Sequence, residues 1–285
     1  SDLYMNNNLK LIFYLFIILS VFIFFCSNNR ELFSNDSNDF KQLKNGYVFN
    51  KVKIKYYPKG GPYNKIDDIK DRREEGETIL RKNQYVGIRM LLIFNFICKK
   101  YKIKYWLTDG TLIGAVRHKG FIPWDNDVDI LMIKSDFKKL EKIILSNKDN
   151  IKSILHDNNI FFQISDGVWR QNRTLIAKFR DNNSCYGYCK KHGCKWHDGI
   201  QLDIFICDYT KKKDKIYILD ENWNKILVKK NKIFPLKNIK FENHLLPVPN
   251  DYNYILKKEY GDFMKLPSER KRYPHEGIGT YNKPC

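Results

Sequence analysis

The chain has 285 residues, 43% hydrophobic and 29% charged, enough to bury one sizeable core or at most two small ones, which excludes an intrinsically disordered chain. Its 51 Lys and Arg outnumber 32 Asp and Glu, for a formal net charge of +19. That excess suits anionic substrates or lipids, and it also follows from the Lys-, Asn- and Ile-rich composition that an A/T-rich genome favours.

In chain order, residues 11–26 (LIFYLFIILSVFIFFC) carry no charge. At about 1.5 Å per residue they make about 24 Å of helix, slightly short of a hydrocarbon core of about 30 Å. No small-x-small pair follows the run, so the pattern predicts an uncleaved signal anchor over residues 1–30 rather than a cleaved signal peptide. The chain is then expected to be a single-pass membrane protein of the secretory pathway, in the Golgi or ER, with a lumenal catalytic domain. Residues 31–75 read as a stem, with PKGGP at 58–62 as loop punctuation. Asn35, Asn172 and Asn182 each begin an N-x-[ST] triplet, as a lumenal glycoprotein would.

From Glu74 to Lys100 apolar residues recur at spacings of three and four, which predicts an amphipathic helix. Residues 103–107 read as a strand, 112–118 as a short helix after a turn, 127–133 as a strand buried on both faces, and 136–146 as a helix. Strands are expected at 160–165, 174–180 and 199–208, then a hairpin at 240–249 and a helix at 251–259. The fold class is α+β, a mixed sheet flanked by helices, occupying residues 76–285 behind the N-terminal transmembrane helix.

The chemistry concentrates in YWLTDGTLIGAVRHKGFIPWDNDVDILM, residues 105–132. On a strand, Asp127 and Asp129 point to one face. Two adjacent buried carboxylates repel unless a cation lies between them, and oxygen ligands suit Mg²⁺ or Mn²⁺. Asp125 adds a third acid, and Asp203, between Leu202 and Ile204, supplies a fourth from another strand. The expected metal ligands are therefore Asp125, Asp127, Asp129 and Asp203, with Asp127, Asp129 and Asp203 catalytic. Asp109, Gly110 and Thr111 lead from a strand into a helix whose N-terminal N–H groups can receive phosphate; Arg117 and His118 are further candidates for the donor phosphates. Gly-Thr followed by D-x-D is the signature of the nucleotidyltransferase fold.

The run DGTLIGAVRHKGFIPWDNDVDILM resembles the core of the LicD/fukutin family, and FENHLLPVPNDYNYILKKEYGDFMKLP, residues 241–267, resembles that family's ending. The resemblance implies transfer of a phosphoalkyl or phosphosugar unit, of phosphocholine or ribitol phosphate type, from a CDP-linked donor to a glycan or glycoprotein hydroxyl. It implies that Asp127 and Asp129, with Asp125, hold Mg²⁺ on the donor diphosphate, and that Asp203 is a further ligand or the base. Two other readings are a nucleotidyltransferase acting on RNA and an inactive membrane-tethered glycan-binding homologue. No nucleic-acid partner is expected, because no aromatic-and-basic RNA-binding face is visible.

Cys185, Cys189, His192, Cys194 and His197 crowd together. They can form a tetrahedral structural Zn²⁺ site, or the cysteines can form disulfides with one another or with Cys285. Cys98 and Cys207 read as core residues.

Overall fold

The computed structural model describes residues 40–165, 175–187, 189, 194, 198–219, 225–274 and 277–285. The chain divides after Lys55 into two units. The first carries three antiparallel strands in the order β1 (Phe40–Leu43), β2 (Gly46–Phe49) and β3 (Val52–Lys55), within the stretch expected to be a stem.

The second unit is organised around helix α1 (Ile79–Lys100). Its N-terminus is capped by Thr78, whose hydroxyl accepts the Arg81 N–H at 3.1 Å, satisfying one donor that the helix leaves open. The three- and four-residue spacing is wider than one stripe: α1 is buried along most of its length because it packs on strands β5, β7 and β8. Those strands belong to a seven-stranded mixed sheet. It contains β4 (Trp106–Leu107), β5 (Val128–Ile133), β6 (Ile160–Ile164), β7 (Leu175–Asp181), β8 (Gln201–Tyr209), β9 (Lys215–Leu219) and β10 (Lys225–Lys229). The main path runs β10-β9-β8-β5-β4, with β7 also pairing β8 and β6 pairing β7. Only β5 and β8 are parallel among the described pairs, and β5 is buried throughout, as its near-continuous apolar run requires. Phe94 of α1 meets Tyr105 and Phe179 edge-on, with centroids 4.9 and 5.5 Å apart, a favoured aromatic geometry. A Cβ at Gly87 would sit 3.1 Å from Val128 Cγ2, so the small residue lets α1 approach the strand that carries the acids.

Helix α2 (Asp109–Arg117) follows β4, and α3 (Lys134–Leu145) and α4 (Ile151–Asp157) follow β5. After β10 come the short α5 (Lys230–Ile233), the hairpin β11 (Lys237–Phe241) and β12 (His244–Val248), and α6 (Tyr252–Tyr260). Two expectations shift here. The strand at 103–107 shortens to Trp106–Leu107: Lys102 takes φ 54, and the Ile103 N–H still donates to the Cys98 carbonyl of the helix end at 2.8 Å. The helix placed from Leu112 begins three residues earlier, because extended Thr108 leads straight into it.

The mixed sheet with flanking helices is present, but the N-terminal transmembrane helix is not upheld. Among the described residues no helix is long and apolar enough to cross a membrane, and residues 11–26 lie outside the described residues. The described residues are corrected to an α+β fold, a mixed sheet flanked by helices with no membrane-spanning helix among them, and no described helix carries the single-pass membrane placement expected in the secretory pathway.

Candidate active site

The parallel pairing of β5 with β8 sets Asp129 directly opposite Asp203. Neighbouring strands are about 4.8 Å apart, so the two carboxylates share one end of the sheet. Asp127 lies one residue ahead of β5, with Asp125 just before it; Asp125, Asp127, Asp129 and Asp203 are 6%, 8%, 9% and 7% exposed. The turn into α2 is tied to the same place: the Asp129 N–H donates to the Thr111 hydroxyl at 2.8 Å, and the Thr108 N–H to the Asp129 carbonyl at 3.3 Å. The N-terminus of α2 is thus fixed beside the acids by the strand that carries them.

Burial pushes the Asp129 carboxyl well above the usual range, and the charges of Asp127, Asp109, Asp203 and Asp125 push it further. Burial also raises Asp203, against the opposing pull of Lys178. Asp109 is raised by burial, partly offset by hydrogen bonds from Tyr260 and Thr108. Such a group of acids cannot all ionise without a compensating cation. Its donors are oxygens throughout, so the residues fit Mg²⁺ or Mn²⁺. The acids are not drawn tightly together. Among the described residues the close set of metal-capable side chains is Cys185, Cys189 and Cys285, with ligand atoms within 4.8 Å.

Gly110 has a specific reason to be glycine: a Cβ there would lie 2.6 Å from Asp125 Oδ2. Gly110→Ala is expected to leave the fold intact, because a carboxylate end can swing aside. Moving it by about 1 Å should slow turnover by about 10²-fold. A Gly110→Ala protein with wild-type turnover and an unchanged melting temperature would show that the Asp125 position does not matter.

Arg117 and His118 sit at the other end of α2. The Arg117 guanidinium donates to the Phe263 carbonyl at 2.6 Å and to His118 Nε2 at 2.9 Å. Burial and nearby Arg272 push Arg117 down to about 10. His118 is fully buried, and burial followed by Arg117 pushes its imidazole well below its ordinary value, so it is neutral at physiological pH. Arg117, with His118 beside it, braces the segment after α6 from the C-terminal end of α2, where the charge of Asp125 also acts on it.

Sequence reasoning missed three neighbours. Lys178, on β7 opposite Asp203, is fully buried. Its Nζ is 3.3 Å from Asp203 Oδ1 and donates to Gln201 Oε1 at 2.7 Å. Gln201 Nε2 in turn donates to Asp203 Oδ2 at 3.3 Å. The available signal was a lysine in the middle of the strand LIAKFRD. The third is Tyr260, whose hydroxyl donates to Asp109 Oδ1 at 2.8 Å. It gives the Tyr-Gly-Asp stretch a structural role, holding the C-terminal part of the domain to the Asp109-Gly110-Thr111 turn.

The cysteines pair as Cys185–Cys285 and Cys189–Cys194, and sulfurs bonded this way offer no thiolate to Zn²⁺; His192 and His197 lie outside the described residues. The first bond pins the C-terminal tail, which also bridges Cys185 through Thr280. Within that tail Gly277 accepts from Asn126 Nδ2 at 2.8 Å, one residue from two of the acids. Cys285→Ser is expected to lower unfolding free energy by about 2–5 kcal/mol, read by denaturant titration. Reductant should reproduce the loss and a chelator should not; the opposite pattern would return the cluster to a metal site.

A mixed sheet presenting acids from two parallel strands beside a Gly-Thr helix N-terminus defines a nucleotidyltransferase-type site. Residues 102–251 match the nucleotidyltransferase domain of LicD/FKTN/FKRP, and the chain belongs to that family. It is 27% identical over 262 residues to the lipopolysaccharide cholinephosphotransferase LicD of Haemophilus influenzae, covering 69% of this chain and 95% of that protein. It is 32% identical over 167 residues to an uncharacterized protein of Rickettsia typhi, of which it spans 42%. A 41-residue stretch is 44% identical to the human ribitol 5-phosphate transferase FKRP, covering 8% of that protein. The two relatives named for an activity are both transferases of phosphate-linked groups.

Proposed function

We propose that this chain transfers a phosphoalkyl or phosphosugar unit, of phosphocholine or ribitol phosphate type, from a CDP-linked donor to a glycan hydroxyl. The observation that carries the reading is Asp129 opposite Asp203 on adjacent parallel strands, beside the Gly110-Thr111 turn. In the reaction the acceptor oxygen forms a bond to the donor's outer phosphorus, the phosphoanhydride bond breaks, and CMP departs. Asp125, Asp127 and Asp129 would hold a divalent cation, which supplies charge neutralisation to the diphosphate. The α2 N-terminus offers N–H groups to phosphate oxygens. Asp203, held by Lys178 and Gln201, either joins the cation ligands or takes the acceptor proton. Gln84 supports the arrangement by donating to the Asp125 carbonyl at 2.6 Å.

The test follows CDP-choline and CDP-ribitol by phosphorus NMR, with and without lipopolysaccharide as acceptor. CMP is expected to appear, faster with acceptor, and to stop on chelation. Pyrophosphate release from nucleoside triphosphates, with both CDP donors untouched, would favour the RNA nucleotidyltransferase reading instead.

A further inference from the structure

At the far end of the sheet from the acids lies a cleft of about 700 Å³ lined by Lys104, Lys215, Lys229, Lys230, Phe234 and Leu236. Asp203 opens β8, whereas the cleft adjoins its last residue, Tyr209, which pairs with Ile216. Six residues of strand separate the two places by roughly 20 Å.

Three features distinguish this cleft from an ordinary lysine-rich surface. Lys215 and Lys229 are cross-strand partners, and like charges directly opposite one another on a sheet destabilise it. The single acid at the cleft, Asp214, accepts from the Thr210 hydroxyl at 3.0 Å and feels the charge of Lys215, but one carboxylate faces four lysines, and among the described residues none of the four makes a close ion pair. The floor is apolar: Lys104 Nζ lies 5.5 Å over the Phe234 ring. The neighbouring cross-strand pair Tyr217 and Leu227 remains 42% and 43% exposed on the same face as Lys215 and Lys229. Lysines on an edge strand also deter sheet pairing, which accounts for Lys229 but not for the apolar floor or the opposed Lys215.

We propose that this cleft is a second binding site, separate from the carboxylate cluster, for a phosphate ester carried on an apolar body. The ammonium groups meet the phosphate as point charges, and Phe234, Leu236 and the exposed Tyr217–Leu227 pair cover the apolar part.

The test is calorimetric titration of the intact protein with hexyl phosphate, inorganic phosphate and hexanol. Hexyl phosphate is expected to bind at least ~10-fold more tightly than inorganic phosphate, since several buried methylenes favour it, and hexanol not to bind measurably. Lys215→Gln/Lys229→Gln should weaken hexyl phosphate at least ~10-fold while leaving transfer activity in place, because neither lysine touches the acids. Phe234→Ala should remove the advantage of hexyl over inorganic phosphate. Sedimentation with phosphatidylglycerol vesicles separates the sources: co-sedimentation that the double substitution abolishes marks a lipid headgroup, and its absence beside hexyl phosphate binding marks a soluble ester. Equal affinity for hexyl and inorganic phosphate, or undiminished binding in the double variant, would overturn the proposal.

Discussion

Asp129→Asn is expected to abolish transfer and, in metal-free protein, to raise the melting temperature at neutral pH. Asp129 sits among four other acids, and its carboxyl is raised well above the ordinary range by burial first and by Asp127, Asp109, Asp203 and Asp125 next. An unfolded Asp titrates near about 3.9. Because the folded value is higher, the folded state binds the proton more tightly. That contribution to stability is fully present below the unfolded value and is lost as pH rises through the folded one. Asparagine has no charge to lose, so the variant's stability should decline less over that window. If Asp129 holds the cation as proposed, the same change removes a ligand worth several kcal/mol of transition-state charge stabilisation, at least ~10²-fold in rate. Calorimetric melting across the acid-to-neutral range, in chelator, checks the first half. A variant that melts lower than wild type throughout, or that retains near-normal turnover, would contradict the placement of Asp129 at the centre of the acids.

Glu242→Ala is expected to cost about 3–5 kcal/mol, a fall of roughly 6–20 °C in melting temperature for a domain of this size. Glu242 is fully buried in the β11–β12 turn, where its carboxylate receives Arg81 Nη2 at 2.5 Å, the Tyr57 N–H at 2.6 Å and the Phe121 N–H at 3.1 Å. Truncation takes the Glu242 carboxylate away from the buried Arg81 guanidinium and leaves two backbone donors without an acceptor. It also loosens the segment from Phe121 that leads into Asp125. Calorimetry on purified Glu242→Ala gives the answer; a loss below about 1 kcal/mol, as for exposed ion pairs, would show that Glu242 does not hold this segment.

The parts legible in the sequence were those whose pattern is local. The α1 periodicity, the β5 run that is apolar but for Asp129 and the Pro-bearing hairpin are written in consecutive residues. Asp127 and Asp129 stand out because acids rarely interrupt a buried strand, and Asp203 repeats the pattern. Partners supplied from afar were not legible. Lys178 looks like one more lysine in a Lys-rich chain until antiparallel pairing sets it opposite Asp203. Tyr260 and Asp109 are 151 residues apart, and nothing near either announces the other. Arg117 and His118 read as phosphate contacts because they follow the Gly-Thr turn; the bond from Arg117 to the Phe263 carbonyl, 146 residues on, was not legible there. Cysteine spacing left metal and disulfide open, since Cys285 reaches Cys185 only through the fold. The charge-free run at 11–26 led to a transmembrane helix that no described helix supports.

The central claim, that Asp125, Asp127, Asp129 and Asp203 form a divalent-cation site for phosphotransfer, is tested most directly by titrating the metal-free intact protein with Mn²⁺ and following free ion by electron paramagnetic resonance. Saturable binding is expected, which Mg²⁺ competes away and Asp127→Asn/Asp129→Asn abolishes. Mn²⁺ binding of undiminished strength in that double variant, or no saturable binding to the wild-type protein with CDP-choline present, would contradict it.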